Sequence, residues 1–184
     1  MNDNSIRSLK QRRADAIYGK KKHFNASYRQ QKYDSALSWI SIILSALTSV
    51  SLLPSLKDTF ALYLEDTFLN HVMFLLPLIL TIVLAAQKNF KYKEFSEKNY
   101  QIGCSYLEIS KEISNFLSFI DDEMIEGIEI QEKLEDIQKR LNEIDRLATN
   151  TKVKKSDYIK TKEGLNSGEE TYTEQELDGW QNIK

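Results

Sequence analysis

The chain is poor in the side chains from which most catalytic and metal centres are built: one cysteine, two histidines, two prolines and six glycines in 184 residues. A lone Cys104 forms no internal disulfide and fits a reducing compartment. Together with His23 and His71 it falls short of a structural zinc site or of a Cys–His dyad with an orienting third group. No Gly-rich phosphate loop occurs, no G-x-S-x-G elbow, and no carboxylate pair inside an apolar segment. These gaps argue against an enzyme, and neither a metal nor a cofactor is expected. A cleavable leader is not evident, because the apolar run starts late, is too long, and is followed by a second.

Charge is missing as well, over two long stretches. From Ser35 to Leu56 no residue is ionisable, and from Thr67 to Gln87 only His71 titrates. At about 1.5 Å per residue each run makes a helix of roughly 32–33 Å, enough for a hydrocarbon core of about 30 Å. Residues 57–66 between them suit a short hairpin tip. The competing reading, a soluble bundle with two fully buried helices, asks a short chain to cover more apolar surface than it has protein to spare. A net charge of −2 conceals this pattern, because strongly charged flanks offset one another.

The flanks set the orientation. Residues 1–34 hold nine Lys/Arg against three Asp/Glu, and residues 88–101 four against two, whereas the 57–66 loop has one Lys and three acids. Basic residues near span ends stay cytoplasmic, which places both termini inside the cell and the loop outside. Tyr33 and Trp39 fall near the inner interface, Phe60, Tyr63 and Phe68 near the outer one. The Lys/Arg of these flanks have a plain topogenic role, meeting anionic lipid.

Four segments follow. Residues 1–34 form an N-terminal cytoplasmic basic helix, frayed over residues 1–10, with Ala14, Ile17, Phe24 and Tyr28 as a sparse apolar stripe. Residues 35–87 form a two-transmembrane hairpin in which Pro54 ends or bends the first span, Pro77 bends the second, and His71 lies shallow, near the outer interface. Residues 88–148 continue the second helix into the cytoplasm without a break. Phe95, Asn99, Ile102, Tyr106, Ile109, Ile113 and Phe116 make an a/d-type seam there. After a turn at 121–127, Ile130, Leu134, Ile137, Leu141, Ile144 and Ala148 line a second helix. The two stripes fit an antiparallel hairpin, and their narrowness also fits oligomerisation through the first of them, with Asn99 setting register. Residues 149–184 read as a polar, mostly flexible tail with a capping pattern at Thr173-x-x-Glu176. The fold class is an all-α membrane protein, oligomeric, with a tetramer as the expected state.

Hydroxyls recur along the first span at Ser38, Ser41, Ser45, Thr48 and Ser55, on one helical face. They either let helices pack closely and bond across the interface or to the backbone, or line a narrow pore with Ile42 and Leu52 as constrictions.

The segment from Lys20 to Leu53 (KKKHFNASYRQQKYDSALSWISIILSALTSVSLL) resembles the start of the bacterial SLATT family, two-transmembrane proteins associated with SMODS nucleotidyltransferases or SLOG sensors. Phe24, Ala26 and Ser27 in a basic helix, Arg29 ahead of a Leu-Ser-rich span, a short loop, a second span and a long amphipathic helix carry the likeness, over roughly residues 12–150. The resemblance implies a pore-forming or ion-channel effector of anti-phage defence, controlled by a nucleotide or short oligonucleotide messenger from a partner enzyme, in the bacterial inner membrane. On that reading the messenger meets a basic belt of Arg12, Arg13, Lys20, Lys21, Lys22, Lys88, Lys91 and Lys93. Phe24, Tyr28, Phe90 and Tyr92 are placed to stack on its bases, each stack worth about 1–3 kcal/mol. Membrane lipid and further copies of the chain are the other expected partners, and duplex DNA is not one. A non-conducting membrane-anchored scaffold that recruits a partner through its cytoplasmic helices is the alternative.

Overall fold

The computed structural model describes residues 3–51, 66–121 and 127–171. Among these residues the regular structure is entirely helical: α1 (Asp3–Ser51), α2 (Asp66–Phe90), α3 (Tyr92–Asp121), α4 (Gly127–Ala148) and α5 (Lys155–Asn166). Residues 52–65, which hold Pro54, Phe60, Tyr63 and nearly all of the expected loop, most of the turn after α3, and the tail positions Tyr172, Thr173, Glu176 and Trp180 lie outside the described residues. The chain divides into two compact units, Met1–Tyr28 with Glu97–Lys184, and Arg29–Ser96.

In the first unit the two amphipathic stripes close on one core. Ile102, Tyr106, Ile109 and Ile113 of α3 are buried with Ile130, Ile137, Leu141 and Ile144 of α4, and Leu134 and Ala148 pack against them. The seam, which fitted either an antiparallel hairpin or packing between subunits, is filled from within the chain over Asn99, Ile102, Tyr106, Ile109 and Ile113. Phe95 and Phe116 are half-buried, and Leu117 takes the next core position. An ion pair fastens the outside of the hairpin: Glu112 accepts from Lys133 and, at 2.6 Å, from Arg140.

The start of α1 departs from expectation. Residues 3–10 are helical rather than frayed, because Leu9 is fully enclosed in the core and Ile6 packs beside it. Further along, Ala14 and Tyr28 are exposed and Ile17 and Phe24 half-buried, while Ala16, Gly19, His23, Ala26, Ser27 and Gln30 are covered. Steps of three and four put Ala16, Gly19, His23, Ala26 and Gln30 on one face. That face is made of small and polar side chains, so hydropathy does not reveal it. Small size is its purpose: a Cβ on Gly19 would lie 2.9 Å from the Tyr106 ring, and one on Gly103 would lie 2.5 Å from the Phe24 ring. Within residues 149–171 the chain also forms a helix, α5, where the Lys154 N–H donates to the Asp157 carboxylate at 2.8 Å and Asp157, Thr161 and Gly164 are buried.

In the second unit, α1 from Arg29 onward and α2 each cover one face. In α1 the partly covered side chains include Leu37, Ser38, Ser41, Leu44 and Thr48, and in α2 Met73, Leu76, Leu80, Val83 and Gln87. Gln87 Nε2 donates to Ser38 Oγ at 2.9 Å. Helix α2 passes through Pro77, and the Thr81 hydroxyl bonds the Pro77 carbonyl at 2.8 Å. The remaining faces are apolar and bare: Trp39 is 66%, Ile42 57%, Phe74 73% and Ile82 60% exposed. Such a surface is a large patch in water but an ordinary exterior in lipid. The expected unbroken run from α2 into α3 does not occur. Lys91 turns to φ +50°, and the rings of Phe90 and Tyr33 pack on Tyr92 at 5.5 and 5.4 Å beside this corner.

Candidate functional site

The expected basic belt divides between the two units. In the first, α1 presents Lys20, Lys21 and Lys22 to α5 and the turn after it. Lys20 pairs with Glu170 at 2.6 Å, and Lys21 pairs with Glu169. Lys22 lies over the Tyr158 ring, 5.3 Å from its centroid. Burial lowers the Lys22 pKa from its ordinary value, against the opposing pull of Asp145. Asn25 Nδ2 donates to Thr161 Oγ1 at 3.1 Å. A cavity of about 340 Å³ lies here, lined by Lys21, Asn25, Lys160, Glu163, Gly164, Ser167 and Glu169. Phe24 is committed to Tyr100, with centroids 5.6 Å apart, whereas Tyr28 is 57% exposed. Arg13 is exposed, and Arg12 lines a separate groove of about 600 Å³ with Gln138 and Arg146.

Beneath the lysines sits a polar cluster buried between α1, α3 and α4. His23 Nδ1–H donates to Asn99 Oδ1 at 2.8 Å, the imidazole stacks on Tyr106 at 5.7 Å, and the Tyr106 hydroxyl donates to Asp145. His23 Nε2 is buried without a hydrogen-bond partner among the described residues, as a lone pair of neutral imidazole can be. Burial lowers the His23 pKa, and the Lys22 charge adds to this, while the Asn99 bond and the Asp145 and Asp157 charges oppose it. Burial, then the bond to Asp145, raises Tyr106 well above the usual phenol range.

In the second unit Lys88, Phe90, Lys91 and Lys93 are exposed and Tyr92 half-buried, and Lys91 pairs with Glu94 at 3.4 Å. The hydroxyls of the α1 apolar segment mostly turn on their own helix: Ser41 bonds the Leu37 carbonyl at 2.9 Å, Thr48 the Leu44 carbonyl at 2.8 Å, and Ser49 the Ser45 carbonyl at 2.9 Å. Ser45 and Ile42 lie on the exposed side, and Leu52 and Ser55 lie outside the described residues. His71 Nδ1–H donates to the Thr67 carbonyl at 2.6 Å. Among the described residues no group of His, Cys, Asp and Glu could hold a metal ion.

The sequence offered no pointer to Glu169, Glu170, Tyr158, Thr161 or Asp145 as neighbours of the lysines and His23. Their only signals are the Asn166-Ser167-Gly168 turn and the polar Asn99 within an apolar seam.

Helices with bare apolar faces in one unit, together with a charged, packed helical unit elsewhere among the described residues, are the marks of a membrane protein. Among the described residues one stretch, beginning at Asn70 in α2, is long and apolar enough to cross a bilayer, and none of its most apolar window is buried. The family model of the SMODS and SLOG-associating 2TM effector domain, family 4, matches residues 6–176. The chain belongs to that family, and so is a membrane effector of SMODS- and SLOG-associated defence systems. No curated protein and no solved structure matches it.

Proposed function

We propose that the chain is a homo-oligomeric pore-forming or ion-channel effector of anti-phage defence, controlled by a nucleotide or oligonucleotide messenger from a partner nucleotidyltransferase. It crosses the bacterial inner membrane twice as a helical hairpin, with both termini cytoplasmic. The observation that carries the reading is the pairing of an apolar, uncovered α2 with the hydroxyl-bearing, uncharged end of α1, tied by Gln87 and Ser38. Two such helices have lipid-compatible outer faces and leave Ile42 and Ser45 free to meet other copies. Subunit contacts then come from this unit, because the α3 seam is occupied within the chain. The messenger is expected at Lys20–Lys22, where cationic side chains, Lys160 and a cavity come together. Planar-bilayer recording of purified protein tests the reading. Unitary current steps, altered by a nucleotide extract of infected cells, are expected, and an electrically silent membrane containing correctly inserted protein would refute it.

A second reading is favoured by one observation: Ser41, Thr48 and Ser49 satisfy their own helix carbonyls and need no pore water. On that reading the hairpin is an anchor, the first unit recruits a partner, and the same recordings are silent.

A further inference from the structure

We propose that Glu169 and Glu170 are an internal anionic plug for the Lys20–Lys21 site, so that a phosphate-bearing ligand binds there only by displacing the turn that carries them. The inference rests on the reading of Lys20–Lys22 as an anion site and adds how that site is controlled.

Three features of the geometry point to it. First, the cations are covered and their partners are not. The Lys20 and Lys21 side chains are only 13% and 11% exposed, against 30% for Glu170 and 61% for Glu169. Ammonium groups so enclosed need a counter-charge, yet a half-solvated carboxylate holds its partner weakly. The site keeps its charge requirement while its present occupant is easily exchanged. Second, the occupant is delivered by a built turn. Gly168 takes φ +82°, and the Ser167, Gly168 and Glu169 N–H groups bond the carbonyls of Glu163, Leu165 and Gly164. Consecutive glutamates are thereby set against consecutive lysines. A Cβ on Gly164 would fall 2.5 Å from Lys21 Nζ and 2.6 Å from Glu169 Oε2, so the pair closes directly over this glycine. Third, the 340 Å³ cavity beside the pair adds Lys160 and Asn25 as further donors. This is room and donor capacity that the two carboxylates leave unused, and a phosphate group, which gathers about −1.5 to −2 of charge and three acceptor oxygens on one compact centre, can meet both lysines and still reach it.

Phosphate can arrive free or on a lipid headgroup, and the test separates the two. Full-length protein in phosphatidylcholine nanodiscs is titrated with inorganic pyrophosphate by calorimetry, and amide hydrogen exchange is followed over residues 164–171. In the wild-type chain pyrophosphate is expected to accelerate exchange in that segment. The E169Q/E170Q variant should bind pyrophosphate about tenfold more tightly, and E169Q alone by a smaller factor in the same direction, since partly exposed ion pairs no longer compete. K20Q/K21Q should lose binding. Fast exchange over 164–171 in phosphatidylglycerol nanodiscs without pyrophosphate would support the plug and assign the phosphate to lipid. Equal pyrophosphate affinity in wild type and both plug variants, with exchange unchanged, overturns the plug while leaving the anion site standing. Absence of binding in every variant overturns the anion site and the plug with it.

Discussion

His23 is an ionisable ring in a place that favours its neutral form. It is enclosed to 1% exposure, donates one N–H to Asn99, and has Lys22 next to it in the chain, with Asp145 and Asp157 contributing the opposing charge. Its folded pKa lies below the ordinary 6.5, so the unfolded chain binds a proton that the folded chain refuses. Stability is therefore complete above that value and declines as pH falls through it, by at most about 1.4 kcal/mol per pH unit. Glu112 acts in a different window. Burial alone would raise its pKa, but Lys133 and Arg140 outweigh burial and lower it. Its contribution is complete above the ordinary 4.5 and is lost only in stronger acid, as pH falls through the depressed folded value. Thermal melts by circular dichroism at pH 7.5 and 5.5 should accordingly show a lower midpoint at pH 5.5, on the order of 1 kcal/mol. His23→Gln, which retains an amide donor for Asn99 and does not titrate, should remove most of that difference. An undiminished acid loss in the variant would mean that another group is responsible.

At the scale of elements, the α3–α4 hairpin was readable and much of the rest was not, and the difference is physical. Ile, Leu and Tyr at steps of three and four mark a buried face whichever partner covers it, so the stripes from Ile102 and from Ile130 could be drawn in advance. The partner could not: the same stripe serves a second subunit or the chain's own helices, and here the N-terminal part of α1 supplies the missing side. That part was misread because Ala16, Gly19 and Ala26 are buried for their small size and His23 with its hydrogen bond to Asn99, rather than for hydropathy. Helix α5 escaped notice for a similar reason, since it docks through Lys22–Tyr158 and Asn25–Thr161 and not through an apolar face. The corner at Lys91 has neither proline nor glycine to announce it. A lysine in the left-handed region costs roughly 1–2 kcal/mol, and the exposed pair with Glu94 offsets little of it. Lys91→Gly should then stabilise the chain by about 1 kcal/mol, and Lys91→Val, whose branched Cβ tolerates positive φ least, should destabilise it by roughly as much. Melting midpoints that move the same way for both variants would contradict a left-handed corner.

For the whole molecule, the question is which surface of the α1 apolar segment meets water if copies assemble around a pore. Hydroxyl spacing alone put Ser38, Ser41, Ser45 and Thr48 together, but burial divides them. Ser38, Ser41 and Thr48 are on the partly covered side of α1, and Ser38 is joined to Gln87. Ile42, Ser45, Ala46 and Ser49 are exposed at steps of three, one and three and so share the other side. An assembled pore can be lined by the exposed side without disturbing the Gln87–Ser38 bond, whereas lining it with Ser38 or Thr48 would require the hairpin to open. The single native cysteine makes the distinction measurable. In a Cys104→Ala background, Ser45→Cys treated with a charged, water-soluble thiol reagent should lose most of its bilayer current within the labelling time, and Thr48→Cys should lose little. The reverse order would place the hydroxyls of the covered side in the conducting path. It would also mean that the two apolar helices separate when the effector opens, which gives the Gln87–Ser38 bond the part of a latch: Gln87→Leu would then raise the resting current.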